Sequence, residues 1–160
     1  MAHLVSVMGV SGSGKSSSIL PNEATNTKGL DPKETFIINV SGKPLPAKGS
    51  GKLYPLGIKA SEGGRHIEAS KPDQIIQIIQ YINQNRPDIK NIVIDDMGYI
   101  MGFDVMENAN KKGYEKWTQG ALNFMNVINA LKSCRPDIYC FCLFHTEIGK
   151  DEKTKIKTSG

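Results

Sequence analysis

Several stretches of the chain are apolar over a strand's length. They are residues 4–8 (Leu4-Val5-Ser6-Val7-Met8), 35–40 (Thr35-Phe36-Ile37-Ile38-Asn39-Val40), 91–94 (Asn91-Ile92-Val93-Ile94) and 137–144, which ends Cys142-Leu143-Phe144. Near-continuous runs of this kind are what strands covered on both faces present. Between them the period becomes helical. After Ser70-Lys71-Pro72-Asp73, five isoleucines at 75, 76, 78, 79 and 82 make one apolar face. Ser70 is expected as the N-cap, Pro72 fits the first turn, Asp73 complements the helix dipole, and the helix stops near Asn85, before Arg86-Pro87. A second helix is predicted over 114–133, with Trp117, Ala121, Leu122, Met125, Ile128 and Leu131 at helical intervals and Trp117 as a packing anchor. Strands alternating with helices predict an α/β fold with a mostly parallel central sheet, a three-layer sandwich forming one domain over 1–160.

The remaining segments are less regular. A helix opens after residue 16, but Pro21 either ends it early or kinks it, and 22–29 is polar and turn-rich. Residues 41–69 mix Lys43, Lys48, Lys52, Lys59 and Arg65 with glycines and prolines. They are expected to form a basic flap or insertion, in which Leu53-Tyr54 and Leu56-Gly57-Ile58 pair as a small hairpin. Residues 97–113 suggest a short helix and loop, and 149–160 a charged tail or exposed hairpin.

Composition narrows the class. Hydrophobic residues at 39% and charged residues at 22% are ordinary for a globular domain of 160 residues, and no apolar run reaches a membrane span. The chain enters a strand at once, leaving no room for a signal peptide, so a cytoplasmic location is expected. Cys134, Cys140 and Cys142 form no Cys-x-x-Cys pair and read as reduced thiols. The net charge of +4 permits contact with nucleic acid without arguing for it.

The chemistry lies in the turns after the strands. Gly9-Val10-Ser11-Gly12-Ser13-Gly14-Lys15-Ser16 fits the phosphate-loop pattern, between a strand and a helix. Its glycines let backbone N–H groups point inward around an anion, and the helix N-terminus adds further N–H groups and dipole potential. Residues 9–17, through Ser17, are therefore the candidate nucleotide-binding set. Lys15 supplies a charge to the β- and γ-phosphates, and the Ser16 hydroxyl is a candidate Mg²⁺ ligand. Ile92-Val93-Ile94-Asp95-Asp96, an apolar strand ending in acids, is the Walker B pattern. It assigns Asp95 to the magnesium and makes Asp96 a candidate to orient or deprotonate the attacking water. His145, at the expected end of the 137–144 strand, is a candidate sensor of the γ-phosphate. Together these predict a phosphate-loop NTPase using ATP and Mg²⁺, with Lys15, Asp96 and His145 as its catalytic candidates.

Beyond these motifs, residues 31–40 (Asp-Pro-Lys-Glu-Thr-Phe-Ile-Ile-Asn-Val), Gly42-Lys43-Pro44-Leu45-Pro46, Gly113-Tyr114-Glu115-Lys116-Trp117, Leu143-Phe144-His145 and Lys155-Ile156-Lys157-Thr158 occur in that order. With the phosphate loop and Asp95-Asp96, this order resembles the bacteriophage-encoded ATP-binding proteins of the RecA-like P-loop group, broadly AAA-family ATPases. Some of them act in phage recombination alongside single-strand annealing. The resemblance implies a RecA-like core, ATP with Mg²⁺, and work on DNA. Implied partners are single-stranded DNA, further copies of the chain and other phage replication or recombination proteins. The chain departs from that pattern in three places. RecA-like enzymes carry a catalytic glutamate after the second strand, where this chain has Asn39-Val40-Ser41, so Asp96 becomes the substitute base. Residues 22–29 resemble an insertion. Relatives continue past the last motif, so the chain reads as a truncated domain with an exposed sheet edge. Arg65 is a candidate cation for a neighbouring subunit's site. Two other readings stay open: a small-molecule kinase, against which the scarcity of arginines counts, and a nucleotide-gated binding module with little turnover.

Overall fold

A computed structural model describes residues 1–46, 48–110, 114–149 and 153–157. The apolar runs are strands, in the order β1 (His3–Gly9), β2 (Thr35–Asn39), β3 (His66–Glu68), β4 (Asn91–Asp95), β5 (Tyr139–Ile148) and β6 (Thr154–Ile156). The first five lie side by side as β1-β5-β4-β2-β3, and every pairing among them is parallel. The α/β prediction and the mostly parallel sheet therefore hold. Strand β6 pairs antiparallel with the end of β5, so part of 149–160 is the exposed hairpin. Residues 150–152 and 158–160 of that segment lie outside the described residues, as do Lys111, Lys112 and Gly113 of the sequence motifs.

Strands buried on both faces need two covers. On one face Phe36, Ile38, Ile92, Ile94, Cys140 and Cys142 meet α3 (Pro72–Asn85) and α5 (Glu115–Lys132). The isoleucine stripe does what its spacing predicts: Ile75, Ile79 and Ile82 are fully buried. Burying each of them stabilises the fold by about 1.5–3 kcal/mol. On the other face Ile37, Val93 and Leu143 meet a thinner layer: Ile19 at the end of the first helix, Leu20 just after it, and Tyr54. The thiols of Cys140 and Cys142 sit in this dry interior. Burial pushes the Cys142 thiol up to about 12 and raises Cys140 as well, which makes both packing groups and not nucleophiles.

Pro21 follows the first of its two expected outcomes, and several other expectations change. The helix after the glycine-rich loop, α1 (Lys15–Ile19), is only five residues long: it ends before Pro21 and is not kinked by it. The chain then makes a tight excursion, bridged Asn22 to Thr27, and returns at Leu30, whose N–H donates to Ile19 O at 2.8 Å. Gly29 closes that return with φ 61°, and a Cβ there would stand 2.5 Å from Leu20 C and Pro21 N. Gly29→Ala is expected to destabilise the fold by about 2–3 kcal/mol, read as a lower urea midpoint with an unchanged slope.

The 41–69 segment is not the predicted hairpin. It holds α2 (Ser50–Leu53), a 3-10 turn at Ala60–Glu62 and β3, the edge strand beside β2. Tyr54 within it is only 1% exposed and packs against the sheet, while most of its described neighbours in the segment stay exposed or half-exposed. The N-cap of α3 is Lys71, not Ser70, with no side-chain cap bond. Trp117 is 43% exposed on the first turn of α5 and does not anchor packing. Residues 99–107 form a full helix, α4 (Tyr99–Glu107). No helix among the described residues is long and apolar enough to cross a membrane.

All three arginines sit in the loops that enter strands, at the amino edge of the sheet. Arg86, 1% exposed, donates to Ile58 O (2.7 Å), Gly64 O (2.8 Å) and both oxygens of Asp88 (2.9 and 2.8 Å). Arg135 gathers Asn83 O (3.0 Å), Arg86 O (2.9 Å) and Ile89 O, fastening the end of α3. Arg65 bonds Lys33 O and pairs with Asp88. These contacts place Arg65 at the edge of the sheet away from the glycine-rich loop.

Candidate functional site

At the opposite, carboxyl edge the strand register lines up a row of polar ends. Gly9 of β1 pairs with His145 of β5, Asp95 ends β4, and Asn39 of β2 pairs with Asp95 on one side and Glu68 of β3 on the other. Because β5 lies between β1 and β4, His145 falls between the glycine-rich loop and the acidic pair. His145 is therefore not at the end of its strand, as expected from the sequence; β5 continues to Ile148.

The loop itself turns on left-handed glycines, Gly12 (φ 76°) and Gly14 (φ 85°). A Cβ on Gly9 would stand 2.6 Å from Ser13 Oγ. The Ser13 amide donates to Val10 O at 3.2 Å, while those of Ser11, Gly12 and Gly14 find no acceptor among the described residues. A helix of five residues has little macrodipole. Anion attraction here comes from these amides and from Lys15, less from the helix than the sequence suggested. Lys15 is 8% exposed and donates to Gly9 O (3.0 Å) and Val10 O (2.9 Å). Burial pulls its pKa below the ordinary lysine value, and the nearby carboxylates of Asp96 and Asp95 work against that.

Two contacts join the loop to the acids. Ser16 Oγ donates to both carboxylate oxygens of Asp95, at 2.8 and 3.0 Å. Burial raises the pKa of Asp95, and the Ser16 hydrogen bond opposes the rise. The second contact is a chain. Lys15 Nζ lies 3.1 Å from His145 Nδ1, and His145 Nε2 lies 2.7 Å from Asp96 Oδ1. An ammonium has only protons to give and an ionised carboxylate only lone pairs. A neutral imidazole with its proton on Nε2 satisfies both neighbours at once. Asp96 is 8% exposed and held at φ 60°, a left-handed conformation that a non-glycine residue adopts at a cost of about 1–2 kcal/mol. The turn is fixed by Met97 N–H to Leu143 O (2.9 Å) and Tyr99 N–H to Asp96 O (3.0 Å).

The sequence reading did not assign Lys43, Tyr99 and Asn39 to the site. Lys43 Nζ stands 3.6 Å from Asp96 Oδ2 and 5.4 Å from the Tyr99 ring centre, and Tyr99 meets the His145 ring edge-on at 5.7 Å. Asn39, 1% exposed, holds the loop that carries Lys43: its Nδ2 donates to Lys43 O (2.6 Å) and its Oδ1 accepts from Gly42 N–H (3.0 Å). An Asn followed three residues later by Gly after a buried strand is a turn signal that could have located this. A cavity of about 280 Å³ is lined by loop residues Ser11, Gly12 and Gly14 through Ser17, by Lys43, and by Asp95, Asp96 and His145. Of the candidate set 9–17, Gly9, Val10 and Ser13 do not line it.

Among the described residues no cluster of three His, Cys, Asp or Glu side chains could hold a metal unaided. Ser16 and Asp95 present two hard oxygen donors side by side, which suits a Mg²⁺ that completes its shell with water and phosphate. The chain matches no protein-family model and none of the curated proteins compared with it.

Proposed function

We propose that the chain is a Mg²⁺-dependent ATP-binding protein of the P-loop, RecA-like kind that hydrolyses ATP and couples the nucleotide to DNA recombination or replication. One observation carries the nucleotide part: the glycine-rich loop, Lys15, the Ser16–Asp95 pair and the His145–Asp96 pair all face one cavity. In this reading the loop amides and Lys15 bind the phosphates, and Ser16 with Asp95 holds the metal. Magnesium supplies charge neutralisation between the phosphates when bound. Asp96 accepts a proton from water as the water oxygen bonds to the terminal phosphorus and the bond to the departing ADP oxygen breaks. His145 keeps Asp96 turned toward that water through Nε2.

The DNA part rests on the resemblance of the sequence strings. It is supported by a physical route out of the site. The His145 carbonyl accepts Lys157 N–H at 2.8 Å, and Gly98, two residues after Asp96, sits directly against Lys157 O. A shift in either site loop would therefore move the β5–β6 hairpin. The kinase reading is weakened because all three arginines are engaged at the far edge of the sheet. A binding module with slow turnover has one observation in its favour: both Asp96 oxygens already face cations or donors.

The test is ATP binding and hydrolysis by the purified chain, with and without Mg²⁺ and single-stranded DNA. Lys15→Ala is expected to weaken ATP binding roughly ten- to a hundredfold, as loss of a charge-assisted contact does. Equal ATP affinity in wild type and Lys15→Ala would sink the reading. Turnover that ignores DNA would leave the ATPase and remove the coupling.

A further inference from the structure

We propose that Lys43 is the site's second phosphate-contacting cation, one that leaves Asp96 for the terminal phosphate and so distinguishes a nucleoside triphosphate from a diphosphate. The inference rests on the nucleotide reading above and goes beyond it by assigning a residue and a selectivity. Three observations carry it.

The first is placement. At the end of β2, where the resemblance implies a glutamate, Asn39 instead clamps a turn through Lys43 O and Gly42 N–H. Gly42 sits at φ 67°, so the turn is left-handed and aims the following residue over the carboxyl edge of the sheet. The backbone of Lys43 is thus fixed while its side chain is 64% exposed. The second is the weakness of its present contact. A pair at 3.6 Å between an exposed ammonium and Asp96 is held by little and is readily exchanged for a stronger anion. The third is order along the cavity. Lys15 touches the loop and His145, His145 touches Asp96, and Lys43 lies on the other Asp96 oxygen. On the proposed nucleotide reading, the phosphate that a triphosphate has and a diphosphate lacks is the one assigned to Lys43, which lines the same cavity as the loop and Lys15. Departure of Lys43 also frees Asp96 Oδ2, so the exchange that recognises the triphosphate exposes the carboxylate oxygen that hydrolysis needs.

The experiment is calorimetric titration of the full chain with Mg²⁺ and either ADP or adenylyl imidodiphosphate, which cannot be hydrolysed. Lys43→Ala is expected to lose roughly ten- to a hundredfold in affinity for the triphosphate analogue, with ADP affinity within about threefold of wild type. Lys43→Arg is expected to keep most of the discrimination, and Lys43→Met, which keeps the length without the charge, to behave as Lys43→Ala. Matching circular dichroism and melting temperatures exclude a folding defect. An equal loss for both nucleotides, or no loss for either, overturns the role of Lys43 and leaves the nucleotide site standing. Failure of the wild-type chain to bind either nucleotide overturns both.

Discussion

Asp96→Asn is expected to lower ATP turnover by about 10²–10⁴-fold while ATP affinity changes by less than about threefold. The argument is local. Asparagine tolerates the left-handed backbone that Asp96 occupies at φ 60° nearly as well as aspartate does, so the turn survives. Its amide oxygen still accepts from His145 Nε2, which keeps the chain from Lys15 through His145 in place. What is lost is the ability to take a proton. Single-turnover hydrolysis measured beside equilibrium binding separates the two. A variant that hydrolyses at the wild-type rate would remove Asp96 from the chemistry, and Asp95, the remaining carboxylate in the cavity, would have to be considered.

Arg86→Met is expected to destabilise the fold by about 3–5 kcal/mol, the range for breaking a buried ion pair from one side. Methionine fills much of the volume but leaves Ile58 O and Gly64 O without their donor, and the Phe36 ring without the guanidinium 6.0 Å from its centre. The same variant should respond differently to acid. Hydrogen bonding from Arg86, helped by its charge and that of Arg65, holds Asp88 below the usual carboxylate range. A group depressed on folding contributes stability above its unfolded value, near pH 4, and loses that contribution as pH falls through the folded value. Wild type should therefore lose part of its margin over the variant below about pH 4. Urea denaturation at pH 7 and pH 3 checks this, and a gap between the two proteins that stays constant with pH would contradict it.

Much of the fold was legible because burial leaves a period. The isoleucines of α3 and the runs of β2 and β4 could lie nowhere but in the core. That the glycine-rich loop and Asp95 would meet was legible from motif order, since both follow strands of one parallel sheet and so stand at its carboxyl edge. What could not be read has equally physical causes. His66-Ile67-Glu68 is too short to show alternation, and its place beside β2 is set by a partner, not by its own pattern. Arg86 and Arg135 looked like residues before prolines; their role exists only where a second, sequence-distant segment meets each guanidinium. Lys43 belongs to the site because Asn39 binds backbone groups several residues on, a contact with no sequence period.

The order of the strands also has a consequence in time. Strand β1 and its loop come early in the sequence, yet β1 pairs only with β5 among the described residues. On a ribosome making about 5–20 residues per second, the residues of β1 wait on the order of ten seconds for their only sheet neighbour. During that interval β2, β3 and β4 can already zip together, while Lys15 has no His145 and Gly9 has no strand beside it. The glycine-rich loop is thus joined by the last-made strand of the parallel set. On the proposed function, competence to hold a nucleotide would report that nearly all of the described chain has been synthesised and has folded.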